Sequence, residues 1–343
     1  MSPLYSANDT IPDNLTTIEN TIACVILGLC FLVGTPGNLL VVWTILKHVK
    51  QRSHTVVLIL HLAAADLLVL ITLPLWIYSL AHSWVFGEAA CKAMVYVINA
   101  CMYCSVFLIT IMSVERFLAF RYPLKMLYWQ DRTSISKILS MTWILSFILG
   151  IPVILFQYVN DDDEEKHCLY REYNSVSLEV FCISLETLLG FIIPFSILAI
   201  CYWQVAKELH KMHFRIKPKS LFLIGGVVVA FILCWLPYHT LNIISAVLLL
   251  IEKSDEPSYI LTIAGFISGT LAFISSSVNP VLYAFASKNF NGSLRKSGIV
   301  RFFQDLASQT HQAKDVVTQD SGLQDDKIVK DSNDVEQNEL RDI

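Results

Sequence analysis

The sequence predicts an all-α membrane protein, a bundle of seven transmembrane helices followed by a short amphipathic helix at the membrane surface. Of the 343 residues, 55% are hydrophobic and 16% are charged, whereas soluble domains carry about 25% charged residues. The chain contains seven successive stretches that are nearly free of charge and long enough to cross a bilayer, which takes about 20 residues. These predicted spans 1 to 7 are 20–46, 54–81, 93–114, 138–159, 180–206, 220–251 and 257–287.

The distribution of lysine and arginine predicts the direction of the spans, because cytoplasmic loops are enriched in these residues. Loops 47–53, 115–137 and 207–219 together carry thirteen of them, whereas the loops on the opposite side carry four. We therefore expect a multi-pass protein of the plasma membrane with its N-terminus outside and its C-terminus in the cytoplasm.

Two features of the predicted outer side agree with this direction. The tail 1–19 contains two glycosylation sequons, at Asn8 and Asn14. Cys91 lies at the outer mouth of span 3, and Cys168 lies in the outer loop 160–179. Both thiols face an oxidising compartment. We expect a disulfide between these two cysteines.

The chain after span 7 predicts two further segments. Residues 288–304 mix phenylalanine and leucine with lysine and arginine, which is typical of an amphipathic helix lying on membrane lipid. Residues 305–343 carry ten acids and little aromatic content, which predicts a disordered cytoplasmic tail. This tail either solubilises the chain or is phosphorylated. The net charge of −4, with no basic block, excludes nucleic acid as a partner.

One acid lies in the middle of a span. Asp66 interrupts span 2, where a lone charge costs several kcal/mol, so we expect it to face a partner or a wet cavity. One interpretation is a hydrated Na⁺ held by Asp66, Ser105 and Asn279, with Asn38 and Ser276 at similar depth. The other is a neutral aspartic acid that joins helices by hydrogen bonds.

A second group of residues predicts moving parts. Arg116 ends span 3 and is expected to pair with Glu115 in one state and to reach Tyr202 and Tyr283 in another. Prolines interrupt five spans and free backbone carbonyls, so each favours a kink. These prolines are Pro74, Pro152, Pro194, Pro237 and Pro280. Trp235 and Asn279 lie within one turn of the last two, and Phe231 lies one turn below Trp235.

These residues together resemble a rhodopsin-like G-protein-coupled receptor. Each span carries one motif, in order: Gly37-Asn38, Leu62 to Asp66, Glu115-Arg116 with Cys91, Trp143, Pro194 with Tyr202, Cys234-Trp235-Leu236-Pro237, and Asn279-Pro280-x-x-Tyr283. Within the family the chain is most similar to the chemoattractant branch, and there to leukotriene B4 receptors. That likeness rests on the stretches Thr35 to Lys47, Trp235 to Asn242, Phe273 to Ala284 and Ser293 to Phe303.

The resemblance implies a receptor for an extracellular lipid or peptide ligand that acts in chemotaxis and inflammation. It implies signalling through a heterotrimeric G protein of the inhibitory type, with arrestin and receptor kinases acting at the tail. Eight residues at upper depth are the predicted ligand contacts: Tyr96, Asn99, Met102, Tyr103, Glu186, Tyr238, His239 and Asn242.

The chain departs from the family pattern at several positions. Phe117 replaces the usual tyrosine, and Lys217 occupies a position where some relatives carry an acid that pairs with the arginine of span 3. The positions where receptors for acidic lipids carry cations correspond here to Val95, Gln157, Glu179 and Gly265.

The ligand's charge is consequently open at this point. An acidic lipid needs its carboxylate met by His82, Lys92, Arg171 or His239. The acidic run 161–165 favours a basic peptide instead, unless it is an ordinary solvated loop.

Two other protein classes are less well supported. A transporter is expected to show an internal repeat and paired discontinuous helices, and the sequence has neither. An enzyme within the membrane needs clustered acids or metal ligands, but only Asp66 and Glu186 lie within spans, near opposite ends of the bundle.

Overall fold

The computed structural model describes residues 13–50, 53–122, 132–160, 166–211, 219–251, 259–291 and 298–305. Within these ranges the named helices are α1 Asp13–His48, α2 His54–Leu70, α3 Leu73–Ala81, α4 Gly87–Arg121, α5 Arg132–Phe156, α6 Val176–Thr187, α7 Ile193–Lys211, α8 Lys219–Leu250 and α9 Tyr259–Asn291. A π-helical turn, Leu188–Ile192, joins α6 to α7. Strands β1 Gln157–Asn160 and β2 His167–Arg171 form an antiparallel hairpin between α5 and α6.

Six helical segments of the described chain are long and apolar enough to cross a membrane. They are Asn20–His48, His54–Ala81, Gly87–Ala119, Ser134–Phe156, Val176–Lys207 and Gly225–Leu250. Helix α9, with 33 residues, occupies the position of predicted span 7. Span 3 packs against spans 2, 4, 5 and 6, which places it at the centre of the bundle.

The structure corrects several of the predicted boundaries. Helix α1 begins at Asp13, so Asn14 of the predicted tail is already helical, while the apolar span begins at Asn20 as predicted; Asn8 lies outside the described residues. Residues 157–159, which the sequence placed in span 4, belong to β1, and the fold is therefore not purely helical. Tyr158 and Val159 continue the apolar run of span 4, so hydropathy alone does not mark where the helix ends.

The end of span 7 also differs from the prediction. Helix α9 continues to Asn291, so the predicted amphipathic helix does not begin at residue 288. Residues 298–305 are helical, and Phe302 and Phe303 within them are buried, with Phe303 edge-on against Tyr283 at 5.9 Å between ring centroids. The position of this segment on the membrane surface stays a prediction, and the tail from 306 onward lies outside the described residues.

Two of the five prolines in the spans lie beside a break or a distortion of their helix. Span 2 divides at Ile71 and Thr72, and Pro74 stands at the second position of α3, where a missing N–H is tolerated. The Thr72 hydroxyl donates to the Val69 carbonyl at 2.7 Å and satisfies one acceptor at the break. In span 5 the π-helical turn lies directly before Pro194. Pro152, Pro237 and Pro280 lie inside α5, α8 and α9.

Spans 1 and 7 approach each other closely at glycine. A Cβ atom added to Gly37 would lie 2.6 Å from Cβ of Pro280, which is inside van der Waals contact. One residue further, the buried Asn38 donates from Nδ2 to the carbonyls of Gly34 and Ser276, both at 3.1 Å. Only glycine at position 37 therefore lets the two backbones lie close enough for these hydrogen bonds.

We predict that Gly37→Ala lowers the thermal unfolding temperature of the solubilised receptor, because the added methyl group overpacks the contact with Pro280 at a cost of about 1–3 kcal/mol. The matched control is Gly28→Ala in the same helix, where nothing lies within 4 Å of the new Cβ. Its unfolding temperature should stay unchanged or rise slightly, because alanine favours helix. Tryptophan fluorescence during heating measures both, and equal temperatures for the two variants would contradict the prediction.

Candidate functional site

A cavity of about 230 Å³ opens between spans 2, 3, 5, 6 and 7 at the end of the bundle that carries the β-hairpin. Six of the eight predicted ligand contacts line it: Asn99, Met102, Tyr103, Glu186, Tyr238 and His239. The sequence did not select the apolar wall, which includes Trp76, Ile98, Val106, Ala272 and Phe273. Helical phase relative to Asn99 is a signal that finds Val95, Ile98 and Val106 on the same face of span 3.

Two predicted contacts lie elsewhere. Tyr96 donates from its hydroxyl to the Phe147 carbonyl at 3.1 Å and stacks on that ring, so it faces span 4. It lies one residue after Val95, and a step of one residue turns a helix by about 100°. Asn242 lies beside Tyr238, one turn away from the cavity wall. Similar depth therefore does not suffice to identify a contact.

A charged network forms one wall of the cavity. Arg171 of β2 donates from Nη1 to Oε2 of Glu186 at 3.3 Å, and the Tyr238 hydroxyl donates to Oε1 of the same carboxylate at 2.5 Å. Burial lowers the pKa of Arg171, but the Glu186 carboxylate outweighs this effect and the net pKa is raised above its ordinary value. Arg171 therefore stays a cation in the cavity wall.

The other three side chains that were predicted to meet a ligand carboxylate lie at different positions relative to the cavity. His239 is buried in the cavity wall and stacks on Phe191, with 5.0 Å between ring centroids. Lys92 pairs with Glu88 and lies outside this cavity, and His82 stacks on Tyr78. Val95 and Gln157 line the cavity without charge, whereas Glu179 does not line it. Arg171 is thus the permanent cation among the cavity's described residues.

The hairpin that carries Arg171 is fixed at both edges. Cys91 and Cys168 form the predicted disulfide, with 5.7 Å between their Cα atoms, which ties β2 to the start of span 3. Gln157 of β1 donates from Nε2 to the Cys168 carbonyl at 3.2 Å. These two links position Arg171 over the cavity.

The cavity floor is aromatic. Trp235 lines the cavity, and Phe231 packs below it, with 6.2 Å between the two ring centroids and 6.4 Å from Phe231 to Phe191. Gly190 lies in the π-helical turn, where a Cβ would be 3.4 Å from His239 and 3.5 Å from Tyr103. The turn therefore brings span 5 close to both side chains.

A second polar cluster lies deeper in the bundle. Asn279 donates from Nδ2 to Oδ2 of the buried Asp66 at 2.7 Å, and Ser276 and Ser105 are also within hydrogen-bonding range of this acid. Asn38 instead bonds to backbone carbonyls, as described above. The structure therefore brings together Asp66, Ser105, Ser276 and Asn279, with Asn38 as a neighbouring link between spans 1 and 7.

The predicted switch residues lie at the opposite end. Arg116 donates from Nη2 to the Thr55 hydroxyl of span 2, and Thr55 donates to Oε2 of Glu115 at 3.0 Å. Tyr202 of span 5 lies against Gly225 of span 6, and Tyr283 is buried beside Phe303. Thr55 is a member of this hydrogen-bond network that the sequence did not reveal, although it matches Glu115 in depth. Lys217 lies outside the described residues.

Seven transmembrane helices, a disulfide-anchored loop over an internal cavity, and an arginine at the far end of span 3 define a class of membrane receptors. The chain belongs to the rhodopsin family of seven-transmembrane receptors, since the family model described as "7 transmembrane receptor (rhodopsin family)" matches residues 37–283. It is a G-protein-coupled receptor of the plasma membrane, with an extracellular ligand and a heterotrimeric G protein as partners.

The similar proteins belong to the chemoattractant branch. The chain is 37% identical over 278 residues to leukotriene B4 receptor 1 of Rattus norvegicus, which covers 80% of this chain and 78% of that receptor. It is 35% identical over 282 residues to leukotriene B4 receptor 1 of Homo sapiens, covering 81% and 79%. It is 32% identical over 284 residues to C-X-C chemokine receptor type 1 of Oryctolagus cuniculus, covering 81% and 80%. The family is one of receptors and not an enzyme class.

We predict that Cys91→Ala and Cys168→Ala each reduce the amount of receptor at the cell surface by a similar factor, and that the double variant is no worse than either. Both changes break the same covalent link, whose loss costs about 2–5 kcal/mol. Surface staining of an N-terminal epitope measures the loss. Cys182→Ala, which removes a half-buried free thiol, is the control and should match the wild type. Additive losses would be incompatible with a single shared bond.

Proposed function

We propose that this receptor binds an acidic lipid chemoattractant of the leukotriene B4 type and activates an inhibitory G protein. The observation that carries this proposal is the permanent cation Arg171 in the wall of a mainly apolar cavity. The N-terminus is extracellular and the C-terminus cytoplasmic, as the excess of lysine and arginine near Arg116 supports. The tail 305–343, with its serines and threonines, is the substrate of receptor kinases and the docking segment for arrestin.

The apolar wall accounts for the lipid part of the ligand. Ile98, Met102, Val106 and Phe273 offer hydrocarbon and aromatic surface that removes an acyl chain from water, at about 25 cal/mol per Å² of buried apolar area. A polar peptide side chain gains much less from such a wall. The small volume suits a single flexible chain.

Arg171 accounts for the carboxylate. A guanidinium carries five N–H donors, so Arg171 can donate to a ligand carboxylate while it still donates to Glu186. Binding is opposed by the negative charge of Glu186 and favoured by Arg171, Tyr238 and His239. The ligand's affinity consequently depends on how these opposing charges are balanced within one buried network.

A separate observation favours one alternative ligand, a basic peptide. Glu186 is an acid in the cavity wall, and the similar C-X-C chemokine receptor is named for a protein ligand. A basic peptide would place a cation on Glu186 and displace Arg171 from it. The acidic run 161–165 supports the same alternative from the sequence, although it lies outside the described residues.

The test is guanine-nucleotide exchange in membranes with leukotriene B4 as probe. The half-maximal concentration should rise at least about tenfold in Arg171→Gln, because one charge-assisted hydrogen bond contributes about 1.5–3 kcal/mol. Lys92→Gln, which removes a cation outside the cavity, should leave it unchanged. The methyl ester of the ligand should be weak on the wild type and should lose no further affinity in Arg171→Gln.

The variant Arg171→Gln leaves the half-buried Glu186 without its ion pair, so a double variant controls for damage to the fold. Arg171→Gln with Glu186→Gln removes both charges, and it should fold normally and still respond weakly to the acid. A full response of the double variant would contradict the assignment of the carboxylate to Arg171. No exchange on an inhibitory, a stimulatory or a Gq-type G protein at micromolar leukotriene B4 would contradict the lipid proposal itself.

We further propose that the Asp66 cluster holds a sodium ion in the resting receptor. Carboxylate, hydroxyl and amide oxygens are hard ligands suited to such a cation. The cluster Asp66, Ser105, Ser276 and Asn279 provides all three. The ion is expected to favour the closed state, because it ties spans 2, 3 and 7 together.

We predict that raising sodium at constant ionic strength lowers agonist affinity several-fold in the wild type, whereas potassium does not. Asp66→Asn should abolish the difference between the two salts, because the amide carries no charge for the cation. Competition binding at matched NaCl and KCl concentrations measures it. If the variant keeps the sodium effect, the ion binds elsewhere.

A further inference from the structure

The inner ends of spans 2 and 3 share a hydrogen-bond network centred on one hydroxyl. Thr55, the second residue of α2, is completely buried. Its Oγ1 donates to Glu115 Oε2 at 3.0 Å and accepts from Arg116 Nη2. A threonine hydroxyl has one proton to donate and lone pairs to accept, so this single group satisfies an anion and a cation at once.

The geometry points to Thr55 as the positioning residue that holds Arg116 against span 2 in the resting receptor, an inference that rests on the proposed G-protein coupling. Glu115 fixes the direction of the hydroxyl proton, and the oxygen lone pair is thereby turned toward Arg116. Arg116 is therefore bonded to the neutral hydroxyl of Thr55, and the Glu115 carboxylate accepts the proton of that same hydroxyl.

The sequence of span 6 explains why this restraint matters here. Between residues 209 and 251 the chain contains no aspartate or glutamate, and Lys217 has the same charge as Arg116. No acid of span 6 is therefore available to pair with Arg116. The acid that does act on Arg116 is Glu115, its neighbour in span 3. Restraint must come from the side of span 2, where Thr55 lies.

The structure also shows what Arg116 would reach once released. Tyr202 lies near enough to act electrostatically on Arg116 and packs against Gly225 of span 6. The Nε atom of Arg116 is buried and has no hydrogen-bond partner among the described residues. An arginine with an unused donor gains a bond by moving, so loss of Thr55 shifts the population toward the released state.

The test compares Thr55→Val with Thr55→Ser. Valine keeps the shape of threonine and removes the hydroxyl, whereas serine keeps the hydroxyl and removes a methyl group. Thr55→Val should raise ligand-independent nucleotide exchange per surface receptor by on the order of fivefold and raise agonist affinity by a similar factor, because both report one equilibrium. Thr55→Ser should resemble the wild type. Thr55→Val combined with Arg116→Ala should lose the added exchange.

A merely structural role predicts a different pattern. It lowers surface expression and unfolding temperature in both variants, most in the smaller serine, and raises neither basal exchange nor affinity; that pattern overturns the inference. Exchange is measured with inhibitory, stimulatory and Gq-type proteins without ligand, so the result does not depend on which lipid or peptide activates the receptor.

A second measurement separates this inference from the proposed G-protein type. Hydrogen–deuterium exchange of the backbone in 111–118 should be faster in Thr55→Val than in Thr55→Ser, whether or not any G protein responds. Faster exchange with no nucleotide turnover on any G protein would support the restraint and contradict the coupling. Equal protection in the two variants would overturn the restraint, even if agonist-driven turnover is normal.

Discussion

The hydrogen bond between Asp66 and Asn279, 2.7 Å long and buried, is the interaction on which the arrangement of the bundle most depends. In a bilayer a polar side chain has no water to bond, so it bonds either to a carbonyl of its own helix, as Asn38 does to Gly34, or to a group on another helix. Apolar side chains impose no such demand, because lipid is as apolar as leucine. Polar residues therefore decide which helical faces meet.

Asp66 and Asn279 align spans 2 and 7, and Asn38 adds span 1 through the carbonyl of Ser276. Gly37 makes this possible, because a side chain there would push Pro280 and span 7 away.

The same rule operates at three depths, and each depth has a different chemical character. Near the hairpin, Glu186 pairs with Arg171 within reach of a cavity, so a ligand can enter the network and compete. In the middle, Asp66 is bonded to neutral groups, which lets the charge accept a cation or a proton. At the far end, Thr55 mediates between Glu115 and Arg116. The charges are compensated differently at the three depths: by an ion pair at the cavity, by neutral hydrogen-bonding groups around Asp66, and by the Thr55 hydroxyl between Glu115 and Arg116.

The sequence predicts the spans well, because a run of about 20 apolar residues has few other interpretations. It predicts the ends poorly. Tyr158 and Val159 continue the apolar run of the helix before them, yet residues 157–160 form the strand that pairs with β2, and Cys168 ties β2 to the start of span 3. The site residues also divide into those that the sequence predicts well and those that it predicts poorly. The disulfide and the partners of Asp66 follow from charge and depth alone. Tyr96 faces span 4 and not the cavity, because depth alone ignores helical phase. Thr55 was missed because a threonine at a helix start is ordinary until Glu115 and Arg116 are seen beside it.

The aromatic floor of the cavity provides a physical link between the two ends of the bundle. Phe191, Trp235 and His239 contact one another or share neighbours directly beneath the ligand space, and Phe231 continues the column toward the interior. Close-packed rings cannot shift independently, because interiors of this density have little free volume. The helices that carry them are nevertheless weakened close by, at the π-helical turn before Pro194 and at Pro237. If a ligand displaces these packed rings, spans 5 and 6 would bend at the π-helical turn and at Pro237. The parts of the two helices on the far side of these points would then rotate. Those segments carry Tyr202 and Gly225, and Tyr202 lies near enough to Arg116 to act on it electrostatically. If Arg116 is released as inferred above, spans 5 and 6 are the path that would join this release to binding at the cavity, whereas spans 2 and 7 stay linked through Asp66 and Asn279.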